Sequence, residues 1–217
     1  TDNLSWSFDS KSVYFTADNR GYCPVYRIDV QSKNITKVTD DKAILDYQVT
    51  KDEQTVYALF SAVDKPGEIY SYNVNGSEYS QITYFNKKLI EETDIRPAEQ
   101  MWVDGAEGIP VHVFIVKPHG YEENKKYPLI INVHGGPQMQ WMDSFRGDWQ
   151  VYPGSGYVVA FFNPHGSTGY GSAYTEAISR DWGGKVYEDV MKVTEALEKL
   201  AYIDSNSVGA MGWSYGG

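Results

Sequence analysis

Cysteine is nearly missing: Cys23 stands alone among 217 residues. One thiol excludes a disulfide framework and any metal site built from several thiolates, and Cys23 reads as a small residue of a loop or strand. Histidine is also scarce, with four copies, and no metal-binding cluster shows in their spacing. No apolar run approaches the roughly 20 residues that a membrane-spanning helix needs, and no secretory leader is visible. Thr1 is not an initiator methionine, so the sequence reads as starting inside a longer protein. Basic residues are outnumbered: 19 Lys and Arg stand against 29 Asp and Glu, a net charge of −10. No Lys/Arg cluster breaks that balance, which argues against nucleic acid and anionic membranes as partners. The acidity is spread along the chain and reads as solubility. Asn3, Asn34 and Asn75 open triplets of the N-glycosylation pattern, which is frequent by chance.

Apolar matter is not lacking. Hydrophobic residues make up 41% of the chain, enough for a sizeable core, and 18 tyrosines favour strands. The first half repeats itself. Ser7-Phe8-Asp9-Ser10-Lys11-Ser12-Val13-Tyr14-Phe15 returns as Thr50-Lys51-Asp52-Glu53-Gln54-Thr55-Val56-Tyr57-Ala58, at offset 43. Val25–Val30 returns at 69–74 and Lys37-Val38-Thr39 at 81–83, both at offset 44. A period of 40–45 residues made of about four short strands is the signature of β-propeller blades. One blade cannot bury both its faces, so residues 1–86 read as the last two blades of a propeller, with a two-repeat β-sandwich as the alternative. Residues 87–97, rich in charge and ending on Pro97, read as a linker.

From residue 98 the pattern changes. Val111–Val116 is a strand, and Tyr127–Val133 and Gly156–Phe162 are near-continuous apolar runs, as expected of strands covered on both faces. Val186, Val190, Val193, Leu197 and Leu200 form one helical stripe, with Glu188, Lys192, Glu195 and Lys199 facing away. A turn at Asp204-Ser205-Asn206 then leads into a short strand, 207–211, whose Gly209 and Ala210 suit a tightly packed central position. Strands alternating with helices predict βαβ units and a parallel sheet.

That last strand runs into Gly212-Trp213-Ser214-Tyr215-Gly216, a nucleophile elbow. The serine sits on a sharp strand-to-helix turn, and a Cβ two residues to either side would clash; Gly212 and Gly216 fill those places. The second element, His134-Gly135-Gly136-Pro137, follows the strand 127–133 directly. An oxyanion needs two backbone N–H groups aimed at one point, and glycines let a loop turn them there. In α/β-hydrolases one donor follows the nucleophile, here Tyr215, and the other comes from such a loop. Chain order in that fold is Ser, then Asp or Glu, then His, so the base is expected beyond Gly217. His134 therefore reads as a brace of the oxyanion loop. His165, His112 and His119 read as structural.

A propeller end, a linker, His134-Gly135-Gly136-Pro137, Gly166-Ser167-Thr168-Gly169-Tyr170-Gly171, Trp182-Gly183-Gly184 and Gly212–Gly217, in that order, resemble the prolyl oligopeptidase family of serine peptidases. Within it the chain is most similar to the acylaminoacyl-peptidase branch, which includes dipeptidyl-peptidase V. The resemblance implies a β-propeller, here its C-terminal blades only, capping the N-terminal half of an α/β-hydrolase domain over 98–217. It implies Ser214 as nucleophile, with the N–H groups of Tyr215 and Gly136 as oxyanion donors and Gly135 as the less favoured choice. It implies hydrolysis of short peptides through an acyl-enzyme, no cofactor, and a periplasmic or secreted home, and it leaves a homo-oligomer open. Trp141, Phe145 and Tyr170 are candidates for a substrate pocket, with core packing as the alternative for each. Many relatives carry Arg where His165 stands here. A carboxylesterase and a non-catalytic binding protein on the same scaffold remain the other readings.

Overall fold

The computed structural model describes residues 2–76 and 78–217. Thr1, and Ser77 of the third glycosylation triplet, lie outside the described residues. The chain divides into two compact units, residues 1–93 with Met142–Phe145, and residues 94–141 with 146–217.

The first unit holds two four-stranded antiparallel sheets. One consists of β1 (Asp2–Trp6), β2 (Ser12–Thr16), β3 (Val25–Asp29) and β4 (Ile35–Lys37); the other of β5 (Ala43–Val49), β6 (Thr55–Ala62), β7 (Lys65–Asn73) and β8 (Tyr79–Gln81), each in sequence order. The sequence repeat is visible at the level of single hydrogen bonds. Ser7 Oγ accepts the Ser12 N–H at 2.8 Å, and Thr50 Oγ1 accepts the Thr55 N–H at 3.1 Å. Asp9 accepts from Ser7 Oγ and from the Lys11 N–H, as Asp52 does from Thr50 Oγ1 and the Gln54 N–H. Thr39 and Thr83 each accept an N–H from the third strand of their sheet, Thr39 from Val25 and Thr83 from Ile69. These short polar residues hold the turns that strands cannot satisfy by pairing. Tyr14, Val25, Ile44, Tyr47, Val56, Phe60 and Tyr72 from both sheets bury one shared core.

The residues read as a linker carry a short helix, α1 (Lys87–Glu92), with no buried residue, and the boundary falls after Thr93. The loop Met142–Phe145, expected with the second half, belongs to the first unit. Asp143 accepts the Val63 N–H at 2.9 Å, and the Phe145 N–H donates to Ser61 Oγ at 2.8 Å.

The second unit is a five-stranded sheet of β9 (Ala98–Asp104), β10 (Pro110–Val116), β11 (Tyr127–Val133), β12 (Val158–Asn163) and β13 (Ile203–Gly212), in the order β13-β11-β12-β10-β9. The helices are α2 (Asp148–Gly154), α3 (Ser172–Glu176) and α4 (Gly184–Glu198). β11 is parallel to both β12 and β13, whereas β10 is antiparallel to its neighbours β12 and β9. Val113, Ile115, Leu129, Ile131, Ala160 and Phe162 pack against Val193 and Leu197 of α4. On the opposite face Trp149 of α2 stacks on Phe161 at 3.7 Å, and Phe161 on Phe114 at 5.0 Å. Both faces are covered, which is why these strands are apolar without alternation.

Two expectations are corrected. The turn at 204–206 is a bulge inside β13: Ile203 pairs with Tyr127 and Val208 with Leu129, while Asp204 accepts the Asn206 N–H and Ser207 Oγ. Asp204 supplies the partners that the interrupted ladder withholds. Gly209 and Ala210 are exposed, because β13 is an edge strand among the described residues.

Candidate active site

β12 and β13 leave β11 on opposite sides, so the winding of the sheet reverses at β11. In open α/β sheets the carboxyl ends of strands at such a reversal form a crevice. Two loops leave from there: His134–Pro137 after β11 and the Ser214–Gly216 turn after β13. Val133 pairs with Gly212 in the parallel ladder, so the loops start side by side.

Ser214 has φ +58°, the left-handed region that side chains avoid, and it opens a 3-10 turn after the extended Trp213. Such strain persists where the surroundings over-determine it. Here they do. A Cβ on Gly212 would lie 1.9 Å from the Gly216 carbonyl oxygen, and one on Gly216 would lie 2.2 Å from the Val133 carbonyl oxygen. Gly135 faces the elbow directly: a Cβ there would sit 3.2 Å from Ser214 Cβ and 3.0 Å from the Trp213 carbonyl oxygen. Gly136 has φ +112°, a conformation that favours glycine, whereas a side chain at Gly135 would have to push the elbow back by a few tenths of an ångström.

His134 is 2% exposed. Its Nδ1 lies 2.6 Å from the Gly135 carbonyl oxygen and its Nε2 2.9 Å from Ser167 Oγ. Burial holds its pKa below the ordinary histidine value, against the pull of the Gly135 carbonyl. It fastens the loop to the segment after β12. His112 bonds Tyr170 Oη and Gln100, and His165 bonds Asp189. Tyr215, next to the nucleophile, donates its hydroxyl to the Trp182 carbonyl and packs edge-on to the Trp182 ring. Burial raises its phenol pKa.

The pocket candidates separate. Trp141 and Tyr170 meet at Asn163, the last residue of β12. Asn163 accepts the Trp141 N–H at 2.6 Å, and its amide donates to the Trp141 carbonyl at 3.0 Å and to Tyr170 Oη at 2.8 Å. The Trp141 ring packs edge-on to His134 and Trp149, with Arg146 4.7 Å above it. Both residues are tied to the carboxyl end of β12 through Asn163. Phe145 belongs to the first compact unit, and Ser214 to the second. Sequence reasoning missed Asn163, although a fully buried polar residue closing an apolar strand is the available signal. It also missed Asp189, a charged side chain in register with the buried α4 stripe of Val186, Val193 and Leu197.

Known proteins resemble this chain over nearly its whole length. The prolyl oligopeptidase family model matches residues 129–217. An uncharacterized peptidase of Bacillus subtilis, YuxL, is 34% identical over 98% of this chain and 32% of its own length. A dipeptidyl-peptidase 5 of Schizosaccharomyces pombe is 30% identical over 94% of this chain and 30% of its own. The chain therefore spans about a third of the length of these relatives. The solved acylaminoacyl peptidase of Pyrococcus horikoshii covers 94% of this chain with 32% of its own, at a TM-score of 0.83 and 23% identity, so the two share a fold. Over residues 129–217, this chain is similar to the prolyl oligopeptidase family.

Proposed function

We propose that this chain carries the nucleophile and oxyanion hole of a serine peptidase that cleaves short peptides through an acyl-enzyme, releasing N-terminal dipeptides or acyl-amino acids. The observation that carries the reading is the close approach of Gly135 to Ser214. It puts a glycine loop against a strained serine, as acyl transfer requires. Ser214 attacks the peptide carbonyl while a histidine, placed after it by the chain order of the fold, takes its proton. The N–H groups of Gly136 and Tyr215 hold the oxyanion; one such donor contributes about 2.7–4 kcal/mol to the transition state. The proton passes to the leaving amine, and water releases the acyl group. No step calls for a metal or organic cofactor.

The first unit fits the last two blades of a propeller. Two four-stranded sheets with the same turn hydrogen bonds, about 43 residues apart, support that reading.

The test uses the full-length protein. A fluorophosphonate is expected to label Ser214, and dipeptidyl or acyl-aminoacyl amides are expected to turn over. Ester turnover without amide turnover would make the protein an esterase. Absence of labelling would make it a binding protein.

A further inference from the structure

Asp189 is fully buried in α4, and two other segments meet its carboxylate. Oδ1 accepts the Ala106 N–H at 2.8 Å; Oδ2 accepts the backbone N–H and the ring Nδ1–H of His165, both at 2.7 Å. Gly105 comes so close that a Cβ would lie 2.3 Å from Oδ1. A buried carboxylate is tolerated when charge-assisted hydrogen bonds meet its lone pairs. Because His165 supplies two of the three, the carboxylate fixes both its backbone and its ring. The ring stacks on Tyr174 at 4.4 Å and is 1% exposed.

From His165 the chain reaches the oxyanion loop within three residues. Ser167, fully buried, donates its hydroxyl to the Pro164 carbonyl at 2.6 Å and is hydrogen-bonded to His134 Nε2 at 2.9 Å. The Thr168 N–H donates to the Met139 carbonyl at 3.0 Å. The segment after β12 thus grips the oxyanion loop on both sides of Gly136, once at His134 and once at Met139. A pair of apolar residues would fill the space of Asp189 and His165 with less desolvation. What the polar pair adds is direction.

We propose that Asp189, His165 and Ser167 are positioning residues that fix the Gly135–Gly136 backbone against Ser214, although none of them touches substrate. The effect on rate rests on the hydrolase reading above; the effect on the loop does not. The test uses the full-length protein. His165→Phe keeps the ring and its stacking on Tyr174 but removes the Nδ1–H, whereas His165→Asn keeps an N–H near that place. Ser167→Ala cuts the link to His134 and carries the same test where His165→Phe does not fold. Backbone hydrogen exchange over residues 134–139 is expected to speed up in His165→Phe and Ser167→Ala. In both, kcat is expected to fall about 10- to 100-fold with KM nearly unchanged, and His165→Asn is expected to recover most of both. Unchanged exchange at 134–139 in the folded variants overturns the proposal, whatever the rates do. A wild-type protein that fails to label at Ser214 overturns the hydrolase reading instead, and the exchange comparison still decides this one.

Discussion

The Cα of Gly212 stands against the carbonyl of Gly216, with room for a hydrogen and nothing larger: a Cβ there would lie 1.9 Å from that oxygen. The clash is with backbone, so no side-chain rotation relieves it. Gly212→Ala is expected to open the elbow, destabilise the second unit by about 1–3 kcal/mol and abolish fluorophosphonate labelling. Gly209→Ala, on the same strand with open space around its Cα, is the control and is expected to label like wild type. Equal labelling of the two variants would show that the close approach is not required.

Ser214 gives a second prediction from the same turn. At φ +58° a Cβ is strained and glycine is not. Ser214→Ala and Ser214→Gly both remove the nucleophile, so each is expected to lose at least about 10³-fold in kcat. They should differ in stability: Ser214→Gly is expected to be the more stable by about 0.5–1 kcal/mol, or level with Ser214→Ala where the added unfolded-state entropy of glycine offsets the relief. Denaturant unfolding of the two side by side decides it, and a Ser214→Ala protein that is clearly the more stable would mean the elbow is not strained.

How far these features were legible depends on how local they are. The elbow and the His134–Pro137 loop could be read because glycine spacing encodes backbone conformation over a few residues. The repeat could be read because Ser7, Asp9 and Ser12 recur as Thr50, Asp52 and Thr55 with their hydrogen bonds. Phe145 reads with the second half in the sequence because the partner of its backbone N–H, Ser61 Oγ, is 84 residues away. The Asp189–His165 pair is hidden for a related reason: its members lie 24 residues apart, and Asp189 shares the buried face of α4 with apolar residues. The bulge at Asp204 looked like a turn because the same side chain-to-backbone bond serves in both.

His134 is predicted to act on kcat. Removing its ring in His134→Ala frees the Gly135 carbonyl and the Ser167 hydroxyl, and the loop loses its fastening. A lost oxyanion donor costs roughly 10²–10³ in kcat, and a change of that size with a KM within a few-fold is expected. The pH dependence has a definite sign. Burial lowers the His134 pKa in the folded state, so the unfolded chain binds the proton first. The stability this residue contributes is present above the ordinary histidine value and is lost as pH falls through the folded one. His134→Gln is therefore expected to flatten the fall in melting temperature below pH 6.5, and an acid limb as steep as that of wild type would count against it.

Asp143 titrates in the opposite sense. Its carboxylate is largely buried where it accepts the Val63 N–H, and that burial raises its pKa, with Asp64 adding to the rise and Lys42 and Lys65 opposing it. A carboxyl group with a raised folded pKa favours the fold while protonated, and that contribution disappears as pH rises through the folded value. Once ionised, the group is a desolvated charge that accepts the Val63 N–H. Asn in its place keeps an oxygen for the Val63 N–H and carries no charge to desolvate. Asp143→Asn is expected to stabilise the first unit by about 0.5–1 kcal/mol at pH 8, with the gain shrinking toward pH 4 as the wild-type carboxyl takes up its proton. Melting temperatures of the two proteins across that range test the sign. A variant that melts at or below wild type at pH 8 would mean that the charge is held by Lys42 and Lys65 rather than opposed by burial.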